Sequence, residues 1–213
     1  MDEFKPTVYI AVLNQGEISV DLANNLLVMM SHADVPFKIT WPNSKPTSNN
    51  RNKIVKAFLE TDYHYLLMID DDVVPPPNLL ELIKLGKDIV AAPCPQWHET
   101  DVYWVVMDYI PEEDGFRQIP PYRRDGLQKV DAVGTGCILI KRKVLENIKA
   151  PFERKWDEDG LQTMGHDFYF CNKAREKGFE VYAHFDYPCR HYKRLDLIEV
   201  IRFALPQVST PEE

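Results

Sequence analysis

With 213 residues and 45% of them apolar, the chain can bury one sizeable core and reads as a single domain. A charged fraction of 27% with 11% aromatic residues excludes a disordered chain, and a net charge of -8 argues against a general nucleic-acid binder, which needs a basic face. Four cysteines without CxxC spacing, no secretory leader and no apolar run of spanning length predict reduced thiols in a cytoplasmic protein with no membrane span.

The first apolar run, Val8-Tyr9-Ile10-Ala11-Val12-Leu13, predicts a buried strand that turns at Asn14-Gln15-Gly16 into a helix over 17–31. Ile18, Leu22, Leu26 and Met29 recur there at helical spacing and belong to the core. A short strand over 37–41 comes next, then a run of turn formers over 42–50 that reads as loop. An amphipathic helix over 51–59 buries Ile54, Val55, Phe58 and Leu59.

The run Tyr65-Leu66-Leu67-Met68-Ile69 has no polar alternation, as in a strand covered on both faces, and it stops on Asp70-Asp71-Asp72. Strand, helix, strand, helix, strand is the doubly wound pattern, whose ligands bind outside the carboxyl ends of the strands. Alternate side chains share a face, so Asp70 and Asp72 project together. Two like charges about 6 Å apart repel by roughly 3 kcal/mol at an effective dielectric near 20. Such a pair stays fully wet or is bridged by a cation; the bland alternative is a solvated acidic turn. Pro75-Pro76-Pro77 ends the strand and can open a helix over 76–85, closed by Gly86.

A fourth strand is predicted over 88–92. The pattern loosens over 96–124, with one strand over 102–107 and aromatics that either form a substrate-facing surface or merely cover the sheet edge. Residues 130–140 read as one strand interrupted by Gly134-Thr135-Gly136, which marks a bulge or a close approach to the backbone. A helix over 142–148 follows, then a charged segment over 151–164 that is either a lid or an ordinary surface loop. Gly165-His166-Asp167 opens a helix with Phe168, Phe170, Cys171 and Ala174 inward and Lys173, Arg175, Glu176 and Lys177 toward water. Asp167 there is a cap or an ionised proton acceptor. A strand over 181–185, a loop carrying His191 and an amphipathic helix over 195–203 complete the chain.

Taken together, the strand-ending Asp70-Asp71-Asp72, the Gly134-Thr135-Gly136 strand followed by a helix, the helix-opening Gly165-His166-Asp167 and the His191 loop resemble the GT-A-fold glycosyltransferases, in particular their family 2-like branch. The resemblance spans about residues 5–195. It implies an α/β fold of the GT-A (Rossmann-like) type, with a mixed, mostly parallel central sheet flanked by helices. One domain would occupy 1–205, with a nucleotide-binding half over about 1–92, an acceptor-binding half over 93–205 and a tail over 206–213. The implied activity is a hexosyltransferase-like, metal-dependent transfer from a nucleoside-diphosphate sugar to a hydroxyl-bearing acceptor.

On that resemblance Asp72 and His191, with Asp70 directly or through water, hold a divalent cation, Mn2+ ahead of Mg2+ because an imidazole joins the oxygens. Asn14, Gln15 and Arg51 contact base, ribose or phosphates, Asp71 or Asp70 takes the ribose hydroxyls, and Asp167 removes the acceptor proton in an inverting enzyme. His166 stands where the family pattern has Glu or Asp, which leaves inversion or retention open. Two other readings fit parts of the pattern. Asp70-x-Asp72-x-Val74 matches the nucleophile and acid of a haloacid-dehalogenase-type phosphohydrolase, although that motif belongs near a chain start. A non-catalytic nucleotide-sugar-binding protein would keep the fold alone.

Overall fold

The computed structural model describes residues 5–98, 101–113, 115–119, 124–194 and 196–204. A seven-stranded sheet runs in the order Leu127–Val130, Val181–His184, Ile89–Ala91, Cys137–Lys141, Tyr65–Asp70, Val8–Leu13, Phe37–Thr40. Five of these strands point the same way, while Cys137–Lys141 and Leu127–Val130 run against them. The sheet is thus mixed and mostly parallel, as in a GT-A Rossmann-like fold.

The unbroken apolar runs follow from burial on both faces. Along Val8–Leu13 and Tyr65–Asp70, side chains alternate between two cores. Tyr9, Ala11, Leu13, Leu66 and Met68 pack with Ile54, Val55 and Phe58 of the Thr47–Leu59 helix and with Phe170, Cys171 and Ala174 of the His166–Glu176 helix. Val8, Ile10, Val12, Leu67 and Ile69 pack with Leu22, Leu26 and Met29 of the Val20–Ser31 helix and with the 3-10 turn Leu79–Leu85. All four cysteines are buried free thiols.

Several boundaries differ from the sequence reading, each for a physical reason. The first helix starts at Val20 because Ser19 Oγ caps it, accepting from Leu22 N at 3.1 Å. The second starts at Thr47, inside the stretch read as loop. Thr, Ser and Asn form helix interiors poorly but suit a first turn, and burial of Asn50 and Arg51 anchors it. Past Asp71-Asp72 the chain makes a short strand, Val73–Val74, paired with Arg190–His191. The segment over 130–140 is two strands. Ala132–Val133 joins Val106–Ile110 in a separate sheet, whereas Cys137–Lys141 sits in the central one, and Gly134-Thr135-Gly136 is the crossing.

The segment over 151–164 holds a small hairpin, Lys155–Trp156 with Gln162–Met164. Lys173 and Arg175, expected in water, are half-buried and paired to Glu153 and Asp131. The tail over 206–213 and the Pro120–Arg123 part of the aromatic segment lie outside the described residues.

The crossing is tight. A Cβ on Gly134 would stand 2.8 Å from Val105 Cγ1 and 3.0 Å from its Cβ. Gly134→Ala is therefore expected to lower the unfolding free energy by about 1–3 kcal/mol, measured by urea denaturation. Val105→Ala in the same chain should recover part of that loss; a loss unrelieved by it would show that backbone conformation, not this contact, requires the glycine.

Candidate active site

Asp70 ends the Tyr65–Asp70 strand, its N–H donating to the Gly136 carbonyl at 2.8 Å. Arg51 reaches it from the Thr47–Leu59 helix, and Arg51 Nη2 donates to both Asp70 oxygens at 2.8 and 2.9 Å. The guanidinium is buried, 2% exposed, with Met68 Sδ at 3.6 Å from Nη1 and the Phe152 ring beneath it. Arg51, expected at base, ribose or phosphates, is thus buried against Asp70 and is not among the residues that line the two cavities beside it. Burial pushes the Asp70 carboxyl up to about 6 against the pull of Arg51, helped by repulsion from Asp167 and Asp72.

Beyond Asp70 the chain turns, and the next two carboxylates take different partners. Asp71 accepts from Gln15 N at 3.2 Å. Burial, then the charge of Asp72, raises its carboxyl above the ordinary range. Asp72 Oδ2 accepts from Lys193 Nζ at 2.7 Å and lies 3.2 Å from His191 Nε2. Burial works to raise Asp72, but the contacts with His191 and Lys193 override it and hold the carboxyl at about 2.

Two cavities meet at these carboxylates. The larger, about 750 Å³, is lined by Asp70, Asp71 and Asp72 on one side and by Asn14, Gln15, Lys45, Asn50 and Arg154 elsewhere. Asn14 lines it with its amide already engaged, donating to Val12 O and Pro42 O and accepting from Gly16 N. The smaller, about 330 Å³, is lined by Asp70, Asp72, the Gly134-Thr135-Gly136 crossing, Asp167, His191, Lys193, and Tyr103 from the segment read as substrate-facing. Asp70 and Asp72 border both spaces, so the expected juxtaposition is present even though strand alternation ends at the turn.

Asp167 sits in the first turn of its helix but does not cap it; Gly165 is the N-cap. Its carboxylate instead accepts from Thr135 Oγ1 at 2.7 Å and lies 2.7 Å from His166 Nε2. Burial again works to raise it, and His166, Arg51 and Thr135 hold it at about 2, ionised at neutral pH. Thr135, fully buried, and Lys193 were not among the sequence-derived site residues. The polar residue between two glycines, and the cation two places after His191, were the available signals.

The donor chemistry at Asp72 suits a divalent cation. His191 Nδ1 lies 2.7 Å from the Pro95 carbonyl oxygen, which can only accept, so Nδ1 carries a proton. Nε2 is then the ring nitrogen turned toward the Asp72 oxygen, 3.2 Å away, and these two atoms would hold a divalent cation. A carbonyl behind the ligating ring is the usual outer support of a metal-binding histidine. Asp70, with both oxygens on Arg51, is left to act from the next layer. Among the described residues no three His, Cys, Asp or Glu side chains are grouped to hold an ion alone, so remaining ligands would come from water or substrate. The same Arg51 grip counts against Asp70 as a phosphohydrolase nucleophile.

Residues 24–208 match the sequence model of the family described as glycosyltransferase like family 2. No curated protein matches the chain. Among solved structures it is similar to A197 from STIV, at 21% identity over 89% of this chain and 86% of that one, with a TM-score of 0.59. It is also similar to GalNAc-T7, crystallised with UDP, GalNAc and Mn2+, at 9% identity over 92% of this chain and 45% of that one, with a TM-score of 0.50. At these identities the likeness speaks for the fold. No helix among the described residues is long and apolar enough to cross a membrane.

Asp70 keeps its proton to about pH 6 in the fold against an ordinary 3.8, so its ionisation costs the folded state and its contribution to stability falls as pH rises through that window. Removing Arg51 enlarges the cost. Arg51→Met is expected to lose about 3–5 kcal/mol at pH 7 and distinctly less at pH 4, read by urea denaturation at both. A loss independent of pH would mean that Arg51 acts by packing alone.

Proposed function

The chain belongs to glycosyltransferase-like family 2, and from that premise we propose that it moves a sugar from a nucleoside-diphosphate sugar to a hydroxyl-bearing acceptor, with a divalent cation at Asp72 and His191. The observation that carries the reading is the ridge formed by Asp70 and Asp72 between the two cavities. The larger volume, about 750 Å³, falls within the range of ligand pockets and takes the nucleoside, with Asn14 and Gln15 beside base or ribose and Asp71 near the ribose hydroxyls. The diphosphate lies at Asp72, and the transferred sugar enters the smaller space toward Asp167. The nucleotide half is then residues 1–92 and the acceptor half 93–205.

Mn2+, the ion crystallised with GalNAc-T7, supplies charge stabilisation of the departing diphosphate when bound. His191 is oriented for it by Pro95, and Asp70 is fixed by Arg51 so that the strand end keeps its shape. Asp167 faces the smaller cavity and accepts the acceptor's proton, its carboxylate held by Thr135 and His166. A carboxyl near 2 is a weak base, so it acts on a hydroxyl whose bond to the anomeric carbon is already forming. Four buried free thiols support a reducing, cytoplasmic setting.

Calorimetry with nucleoside diphosphates, with and without Mn2+, tests the reading. Asp72→Ala should abolish metal-dependent binding, whereas Asp167→Asn should bind as before and transfer sugar about 10²–10⁴-fold more slowly. Normal donor turnover by Asp72→Ala would remove the metal assignment. A wild-type chain that shows no metal-dependent binding would be a non-catalytic member of the family.

A further inference from the structure

Lys193 occupies a place that the proposed function leaves unexplained. Its Nζ lies 2.7 Å from Asp72 Oδ2, the oxygen that also faces His191. Among the described residues Asp72 is its only ion-pair partner. The ammonium borders the smaller cavity together with Asp70, Gly136 and Asp167, and the side chain is 37% exposed, so the stem has room to move.

The backbone beneath it does not share that freedom. Arg190–His191 pairs with Val73–Val74, and Tyr192 N donates to the Asp72 carbonyl at 2.9 Å. Tyr192 OH donates to Asp21 at 2.6 Å, and Arg190 Nη1 lies 3.0 Å from Tyr192 OH. A fixed base carrying a long flexible cation places a tethered charge within a few ångströms of Asp72.

An ammonium and a divalent ion on one carboxylate oxygen repel each other, so metal binding at Asp72 must displace Lys193. The donor arrives with anionic oxygens that can take the displaced charge. During transfer the bond between anomeric carbon and phosphate oxygen breaks with its electron pair left on the phosphate. The acceptor oxygen bonds to that carbon and its proton goes to Asp167. The leaving diphosphate therefore departs with one more negative charge than it carried in, next to a site already rich in carboxylates.

Resting on the glycosyltransferase reading, we propose that Lys193 is a catalytic residue that hands its ammonium from Asp72 to the leaving diphosphate. It neutralises Asp72 in the empty site and the phosphate oxygens in the loaded one. The same side chain thus opposes metal alone and favours metal together with diphosphate.

This double sign separates the proposal from a structural role. Titrations of wild type, Lys193→Ala and Lys193→Arg would use Mn2+ alone, then UDP, GDP, CDP and ADP with Mn2+, then the parent nucleosides. Lys193→Ala should bind Mn2+ alone severalfold more tightly, bind the preferred diphosphate with Mn2+ about tenfold more weakly, which is about 1.4 kcal/mol, and bind the nucleoside as before. Lys193→Arg should restore diphosphate affinity. Lys193→Met, which keeps the aliphatic stem, replaces the alanine variant if the latter folds poorly. Unchanged or weakened Mn2+ binding, or an unchanged diphosphate affinity, overturns the assignment while the wild type's metal-dependent binding leaves the glycosyltransferase reading standing. If the wild type binds none of the diphosphates with Mn2+, both fall together.

Discussion

A buried guanidinium under the end of the central strand is what holds the first of its three carboxylates in place. Arg51 and Asp70 form the pair, joined by two hydrogen bonds at 2.8 and 2.9 Å. Buried ion pairs contribute little net stability, because desolvation offsets most of the attraction, but the loss of one partner is severe. The value of this pair is positional. Asp70 N is bonded to the Gly136 carbonyl, so the pair locks the strand end to the glycine crossing. That crossing carries Thr135 to Asp167. A helix start, a strand end, a crossing and a second helix start are thereby held in one arrangement, and the two cavities are the spaces it leaves.

Much of this was legible in the chain. Val8–Leu13 and Tyr65–Asp70 announce themselves because residues buried on both faces need no polar alternation. The Asp70-Asp71-Asp72 stop, the glycine pair around Thr135 and the helix-opening Asp167 stand out because each is a local chemical oddity. What failed to show was non-local. Arg51, expected to contact the donor, is revealed as buried only by its partner 19 positions away. The change of sheet at Gly134 is hidden because Ala132, Val133, Cys137 and Ile138 are equally apolar on either side. The pairing of Val73–Val74 with Arg190–His191, which brings Lys193 to Asp72, depends on tertiary contact between short segments with no periodicity of their own.

Charge neutralisation then orders the site in layers. Asp70 has an internal counter-ion and needs nothing from solvent. Asp72 has a partly exposed one, Lys193, and a histidine whose protonated face is turned away toward Pro95. Asp167 is stabilised by a hydroxyl and a neighbouring imidazole. Of these three carboxylates, Asp72 has the most exposed ion-pair partner, so its counter-ion is the one that can be exchanged at least cost. Residues 24–208 match the family model, and the fold is shared with A197 and GalNAc-T7.

Diffraction from crystals grown with Mn2+ and the tightest-binding nucleoside diphosphate, using the anomalous signal of manganese, tests the central claim most directly. The account predicts a single peak within about 2.5 Å of Asp72 Oδ2 and His191 Nε2, with Arg51 still bidentate on Asp70. A peak on Asp70 with Arg51 displaced, or no peak beside Asp72 at all, would contradict it.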